Sequence, residues 1–191
     1  MEEFFEKTLS TKEIYNGKVF KIIRDEVELI NGKKSIREVA LHPGGVVILA
    51  KKENNTILMV EQFRYPLHQT SLELPAGKLE HGENPDIAAK RELEEETGYI
   101  AEKWTKLGFI YTTPGICDEK LYLYLAENLS YKKQHLDEDE FLRVNEYSMD
   151  KVYSMINKGI INDSKTICSL MRAEVLEALS LDVIQQRENN E

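Results

Sequence analysis

The stretch Ser71-Leu72-Glu73-Leu74-Pro75-Ala76-Gly77-Lys78, followed by Leu79-Glu80-His81-Gly82-Glu83-Asn84-Pro85 and closed by Arg91-Glu92-Leu93-Glu94-Glu95-Glu96-Thr97-Gly98, decides the fold. Ser71–Leu74 reads as a strand, Pro75–Lys78 as a turn, and the residues through Gly82 as a loop. Asn84 is a good N-cap, Pro85 suits the first helical position, and Gly98 is the residue preferred just past a helix end. Glu92, Glu95 and Glu96 stand at i, i+3 and i+4 and so share a helix face. Like charges at that spacing cost roughly a few tenths of a kcal/mol per pair unless a cation compensates. Hard carboxylate oxygens on one patch are what Mg²⁺ or Mn²⁺ takes, with positions left for water and phosphate. A glutamate-rich helix turn alone is more often a solvated face, so the surroundings must decide.

Working outward, Lys18–Ile30 and Ser35–Leu41 read as strands joined through Asn31-Gly32, a hairpin signal. Val46–Ala50, Thr56–Phe63, Thr105–Tyr111, Lys120–Ala126 and Phe141–Tyr147 read as further strands. In Leu121-Tyr122-Leu123-Tyr124-Leu125 the leucines face one side and the tyrosines the other. Met149–Asn157 reads as a short amphipathic helix. A third helix from about Ser164 to Leu181 carries Ile167, Leu170, Met171, Val175, Ala178 and Leu179 on a stripe expected to pack. Interleaved strands and helices predict an α/β layered fold. Residues 1–43 are expected to form a β-rich N-terminal lobe and residues 44–191 the main domain.

The chain has 191 residues, 41% hydrophobic and 31% charged, which suits a folded protein with a sizeable core. No apolar run reaches the roughly 18–20 residues of a membrane span. The acidic start Met1-Glu2-Glu3 lacks the basic region of a secretory signal, which predicts a cytoplasmic protein. Cys117 and Cys168 fit that compartment as two incidental thiols. With 25 Lys and Arg against 34 Asp and Glu, the net charge of −9 argues against nucleic-acid or anionic-membrane binding. His42, His68, His81 and His135 show no metal-ligand spacing.

Gly77, five residues, Glu83, seven residues, then Arg91-Glu92-Leu93-Glu94-Glu95-Glu96-Thr97-Gly98 resembles the box of the Nudix family at every fixed position; Tyr99, at a usually aliphatic place, is the sole departure. The resemblance implies an α/β/α sandwich with a mixed sheet, and hydrolysis of a nucleoside diphosphate linked to another moiety. It implies metal ligation by the Ala76 carbonyl, Glu92, Glu95 and Glu96, with Glu83 and Arg91 orienting the ligands from behind. Pro114, sixteen residues beyond Gly98, together with Glu61-Gln62-Phe63-Arg64-Tyr65-Pro66 and Arg37-Glu38-Val39, resembles the ADP-ribose pyrophosphatase subgroup.

That resemblance implies Mg²⁺-dependent cleavage of ADP-ribose to AMP and ribose 5-phosphate. Arg64 and Arg37 are then expected on the substrate, a guanidinium fork being suited to phosphate, with Pro114-Gly115 shaping a loop at the terminal ribose. The general base is expected in the acidic run Asp137-Glu138-Asp139-Glu140, at Glu140 with Glu138 in reserve and Glu95 as the remaining possibility. A homodimer formed through the N-terminal lobe is implied as well. Competing readings are another nucleoside diphosphate sugar hydrolase, such as one for GDP-mannose, and a non-catalytic ADP-ribose-binding module. Such modules usually lose box glutamates, and this chain keeps them.

Overall fold

The computed structural model describes residues 4–136 and 140–188, with side chains as far as residue 180. The chain forms two compact units, one of Met1–Gly44 with Tyr111–Lys120 and one of Gly45–Ile110 with Leu121–Glu191.

In the first unit β1 (Lys7–Asn16), β2 (Lys21–Glu28) and β3 (Lys34–Leu41) make an antiparallel sheet in the order β1-β2-β3. The β2–β3 connection is a hairpin, but with a three-residue loop. Leu29 N donates to Lys33 O and Gly32 N to Leu29 O, both at 2.8 Å, and Gly32 has φ 76°. The glycine thus supplies the left-handed residue of a bulged loop, where the Asn-Gly pair alone suggests a two-residue turn. β1 is absent from the sequence reading because all of its residues are exposed and no buried alternation marks it. The second segment joins this unit at the end of β3. Ala40 bridges Cys117, Ala40 N donates to Ile116 O (2.8 Å), and Asp118 N donates to Ala40 O (3.2 Å).

The second unit holds β4 (Gly45–Ala50), β5 (Thr56–Arg64), β6 (Gln69–Glu73), β7 (Ala76–Lys78), α1 (Pro85–Thr97), β8 (Tyr99–Tyr111), β9 (Lys120–Tyr131), β10 (Leu142–Ser148), α2 (Met149–Asn157) and α3 (Ser164–Glu188), the end residues Tyr111 and Lys120 falling to the first unit. One mixed sheet has the order β7-β4-β9-β8, with β4 parallel to β9 and antiparallel to β7; β10-β5-β6 is antiparallel. β4 is buried along its whole length, which explains its unbroken apolar run. Val46, Ile48 and Ala50 pack with Ala88, Ala89 and Leu93 of α1. Val47 and Leu49 face the other way, toward Val152 and Met155 of α2 and Leu170 of α3. The helices therefore cover opposite faces, giving the α/β/α layering. Leu121 and Leu123 join the α2–α3 side and Tyr124 the α1 side, following the alternation of that strand.

Three further sequence expectations change. Ala76–Lys78, read as part of a turn, forms the short strand β7, because its backbone pairs with Gly45–Val47 of β4 and leaves only Leu74-Pro75 as the connection. β8 begins at Tyr99, not Thr105, because Gly98, with φ 73°, ends α1 and the chain turns straight into the strand. The apolar stripe of α3 packs only at its start: Leu170 is buried, whereas Met171, Val175 and Leu179 are more than half exposed. The inner face is instead Thr166 and Ser169 beside Leu170. Their hydroxyls are satisfied, Thr166 Oγ1 accepting from Leu74 N (2.9 Å) and Ser169 Oγ donating to Lys165 O (2.7 Å), so these small polar residues can be buried without an orphaned group. Cys117 and Cys168 are both free and half-buried. No helix among the described residues is long and apolar enough to cross a membrane.

Candidate active site

Helix α1 is held at both ends before it presents anything. Asn84 Oδ1 accepts from Asp86 N (2.8 Å) at the start. At the far end the segment after β9 takes up carbonyls that a helix leaves unpaired: His135 N donates to Glu95 O (3.0 Å), Gln134 Nε2 to Glu96 O (2.6 Å), and Lys132 N to Gly98 O (2.7 Å). Nothing in the acidic helix itself signals Gln134; it is found only from the fold.

Against this fixed helix lies the start of β7. Ala76 N donates to Glu96 Oε2 at 2.9 Å. A Cβ on Gly77 would stand 1.9 Å from the carboxyl carbon of Glu92, so only glycine lets that carboxylate lie against the backbone. Glu92 and Glu96 are both buried. Burial pushes the Glu92 carboxyl up to about 7 against the pull of Arg91, with the neighbouring charges of Glu95 and Glu140 adding to it. Burial likewise lifts Glu96 to about 8, opposed by the Ala76 amide and reinforced by Glu92 and Glu140. Two buried, mutually repelling hard-oxygen donors beside a strand backbone fit a divalent cation such as Mg²⁺ or Mn²⁺.

Arg91 organises the other carboxylates, and each of its five N–H groups has an acceptor. Nε and one Nη reach Glu83 (3.0 and 2.9 Å), the other Nη reaches Glu92 and Glu95 (2.8 Å each), and the remaining contact is Lys78 O (3.2 Å). Glu83 in turn accepts from Glu80 N (3.0 Å). Glu83, Arg91, Glu92 and Glu95 are thus joined in one hydrogen-bonded unit. Glu95 faces Arg91, and among the described residues no three His, Cys, Asp or Glu side chains are close enough to hold a metal by themselves.

Arg64, at the end of β5, grips Glu73 through Nε and an Nη (2.9 and 2.5 Å), and the charge of Glu96 reaches it. Glu73 also takes Lys165 Nζ, from the first turn of α3. Burial disfavours the charge on Glu73, yet Arg64 and Lys165 outweigh it and hold the carboxyl at about 2. Sequence reasoning passed over Glu73 and Lys165. The one signal for Glu73 was an acidic residue between Leu72 and Leu74 in a strand; Lys165 had none.

Glu140 lies just ahead of β10, and its charge acts on both Glu92 and Glu96. Glu138 falls outside the described residues. Arg37, Pro114 and Gly115 belong to the first unit. There Arg37 is engaged with Glu6 (2.8 Å through Nε) and with Ile36 O (2.9 Å). Pro114-Gly115 form a turn closed by Ile116 N and Cys117 N on Thr113 O (3.0 and 2.9 Å).

Residues 41–170 match the NUDIX domain, and residues 6–40 match the nucleoside diphosphate sugar hydrolase N-terminal domain. The chain is 45% identical over 181 residues to the ADP-ribose pyrophosphatase of Bacillus subtilis (strain 168), covering 94% of this chain and 98% of that one. It is 46% identical over 178 residues to the methanol dehydrogenase activator of Bacillus methanolicus, covering 92% and 96%. A solved ADP compounds hydrolase superposes with a TM-score of 0.81 at 20% identity, over 91% of this chain and 95% of that chain. The carboxylate helix, the glycine that lies against it and these matches agree, and the chain belongs to the Nudix hydrolase family.

Proposed function

We propose that this protein hydrolyses the diphosphate of ADP-ribose, with Mg²⁺ as cofactor and Mn²⁺ as a substitute, giving AMP and ribose 5-phosphate. The observation that carries the reading is the pair of buried carboxylates Glu92 and Glu96 against Ala76 and Gly77, with Arg64 electrostatically coupled to Glu96. A divalent cation held by the Ala76 carbonyl, Glu92 and Glu96 would supply charge neutralisation at the phosphates and Lewis-acid activation of water. Glu95, on Arg91, is the adjacent carboxylate that can join this set. Arg91 and Glu83 keep the carboxylates in place, and Arg64 binds a phosphate oxygen with the donors it does not spend on Glu73.

Water attacks one phosphorus, the bond from that phosphorus to the bridging oxygen breaks, and Glu140 takes the proton of the attacking water. Glu138 is the reserve for that role. Arg37, Pro114 and Gly115 serve the nucleotide or the terminal ribose. The protein acts in the cytoplasm as a homodimer joined through its N-terminal sheet, whose Leu9, Ile14, Tyr15 and Ile36 are exposed.

Steady-state hydrolysis across ADP-ribose, GDP-mannose, FAD and NADH tests the reading. The expected result is the highest kcat/KM on ADP-ribose, with activity abolished by EDTA and restored by Mg²⁺. A higher kcat/KM on GDP-mannose would reassign the substrate, and tight ADP-ribose binding without turnover would make the protein a binding module.

A further inference from the structure

Lys165 occupies a position that helix physics disfavours. It lies in the first turn of α3, where the unpaired N–H groups carry partial positive charge and an acidic side chain is the stabilising choice; α3 has no acidic residue in that turn. The Lys165 side chain is nearly buried, so its charge is not there for solubility. Two carboxylates receive it: Glu73, and Asp163 at 2.9 Å. Asp163 is otherwise occupied in capping α3, its Oδ2 accepting from Thr166 N (3.0 Å) and Thr166 Oγ1 (2.6 Å). Thr166 Oγ1 accepts from Leu74 N. The first turn of α3 thus clamps two consecutive residues, Glu73 by charge and Leu74 by hydrogen bond, directly before Pro75 and the β7 residues Ala76 and Gly77 that lie against Glu96 and Glu92.

Glu73 Oε2 is shared by Lys165 Nζ and an Nη of Arg64, while Oε1 takes Arg64 Nε. The lysine therefore fixes the rotation of the one carboxylate that sets the plane of the Arg64 guanidinium.

We propose that Lys165 is a positioning residue for diphosphate recognition, acting through Glu73 to hold Arg64 with its second Nη turned to the substrate. The inference rests on the reading of Arg64 as a diphosphate ligand. Removing the ammonium while keeping the stem leaves Glu73 on Arg64 alone, free to rotate with it.

The test is a double-mutant cycle of Lys165→Met and Arg64→Ala, run on whichever nucleoside diphosphate the wild-type enzyme cleaves best. Lys165→Met is expected to raise KM by about tenfold with little change in kcat, the scale on which supporting residues act. In the Arg64→Ala background the same change is expected to leave KM unaltered, and Lys165→Arg is expected to restore most of the affinity. An equal KM penalty in both backgrounds would overturn the proposal and assign Lys165 to packing alone. A Lys165→Met protein with lowered Tm but unchanged KM would do the same. Because the cycle concerns the diphosphate common to all candidates, a substrate other than ADP-ribose would refute the assigned activity without touching the role of Lys165; a wild-type enzyme that cleaves none of them would overturn both.

Discussion

Glu96 keeps its carboxylate away from water and beside another, Glu92, and that placement has a thermodynamic signature. In the folded protein its proton is held up to about 8, from an ordinary value of 4.5, chiefly by burial. Between those values the folded state binds more protons than the unfolded chain, so this stability is present at low pH and is lost as pH rises through about 8. Glu92, lifted to about 7, acts in the same direction, whereas Glu73, held at about 2, titrates outside this window. The Tm of metal-free protein is therefore expected to fall as pH rises over this range, and Mg²⁺ to raise it most at the alkaline end. Glu96→Gln keeps an oxygen for Ala76 N, and should flatten the pH slope while removing most activity. An undiminished slope in that variant, followed by thermal melts in EDTA, would place the effect elsewhere. At this scale Glu92 and Glu96 were legible as one helix face from their spacing, and Glu83 and Arg91 from the resemblance to the Nudix box. Glu73, Lys165 and Gln134 were not, because each acts through a partner distant in the chain.

Among the elements, α1 could be read from end to end, since Asn84, Pro85 and Gly98 are local signals that burial cannot override. β1 could not, because a strand that buries nothing has no face to betray it, and its existence depends on the pairing offered by β2. The stripe of α3 misled for the opposite reason: its apolar residues have the right period, but the sheet accepts the small hydroxyl face instead. The loop before β10 is the element on which catalysis is expected to turn. Glu140 stands two residues from Leu142, which is already paired with Gln62 of β5, so the proposed base sits next to a firm strand. Loss of a general base costs about 10²–10⁴ in rate, and Glu140→Gln is expected to lower kcat on that scale with KM little changed. Stopped-flow or steady-state kinetics that show near-normal kcat for Glu140→Gln and a collapse for Glu138→Gln would exchange the two roles. If neither variant loses rate, Glu95 becomes the base.

For the whole molecule, the N-terminal sheet has three strands and little interior, and Val27 is its one fully buried hydrophobic side chain among the described residues. Three-stranded sheets of that kind are marginal unless something covers them. Light scattering at micromolar concentration is expected to give twice the monomer mass, and charged substitutions at Ile14 and Ile36 to halve it; a monomer in the unmodified protein would remove the homodimer.

The stitching of Ala40 to Ile116, Cys117 and Asp118 also bears on how the protein is made. On the ribosome, β1 to β3 emerge first, yet the residues that cover the end of β3 lie some seventy positions later. Until they appear, the nascent sheet carries an open rim, a template for unwanted pairing with other chains. Premature termination within this interval would release a sticky fragment and a pause would prolong exposure of the rim, which makes uninterrupted synthesis across residues 45–115 a condition for good yield.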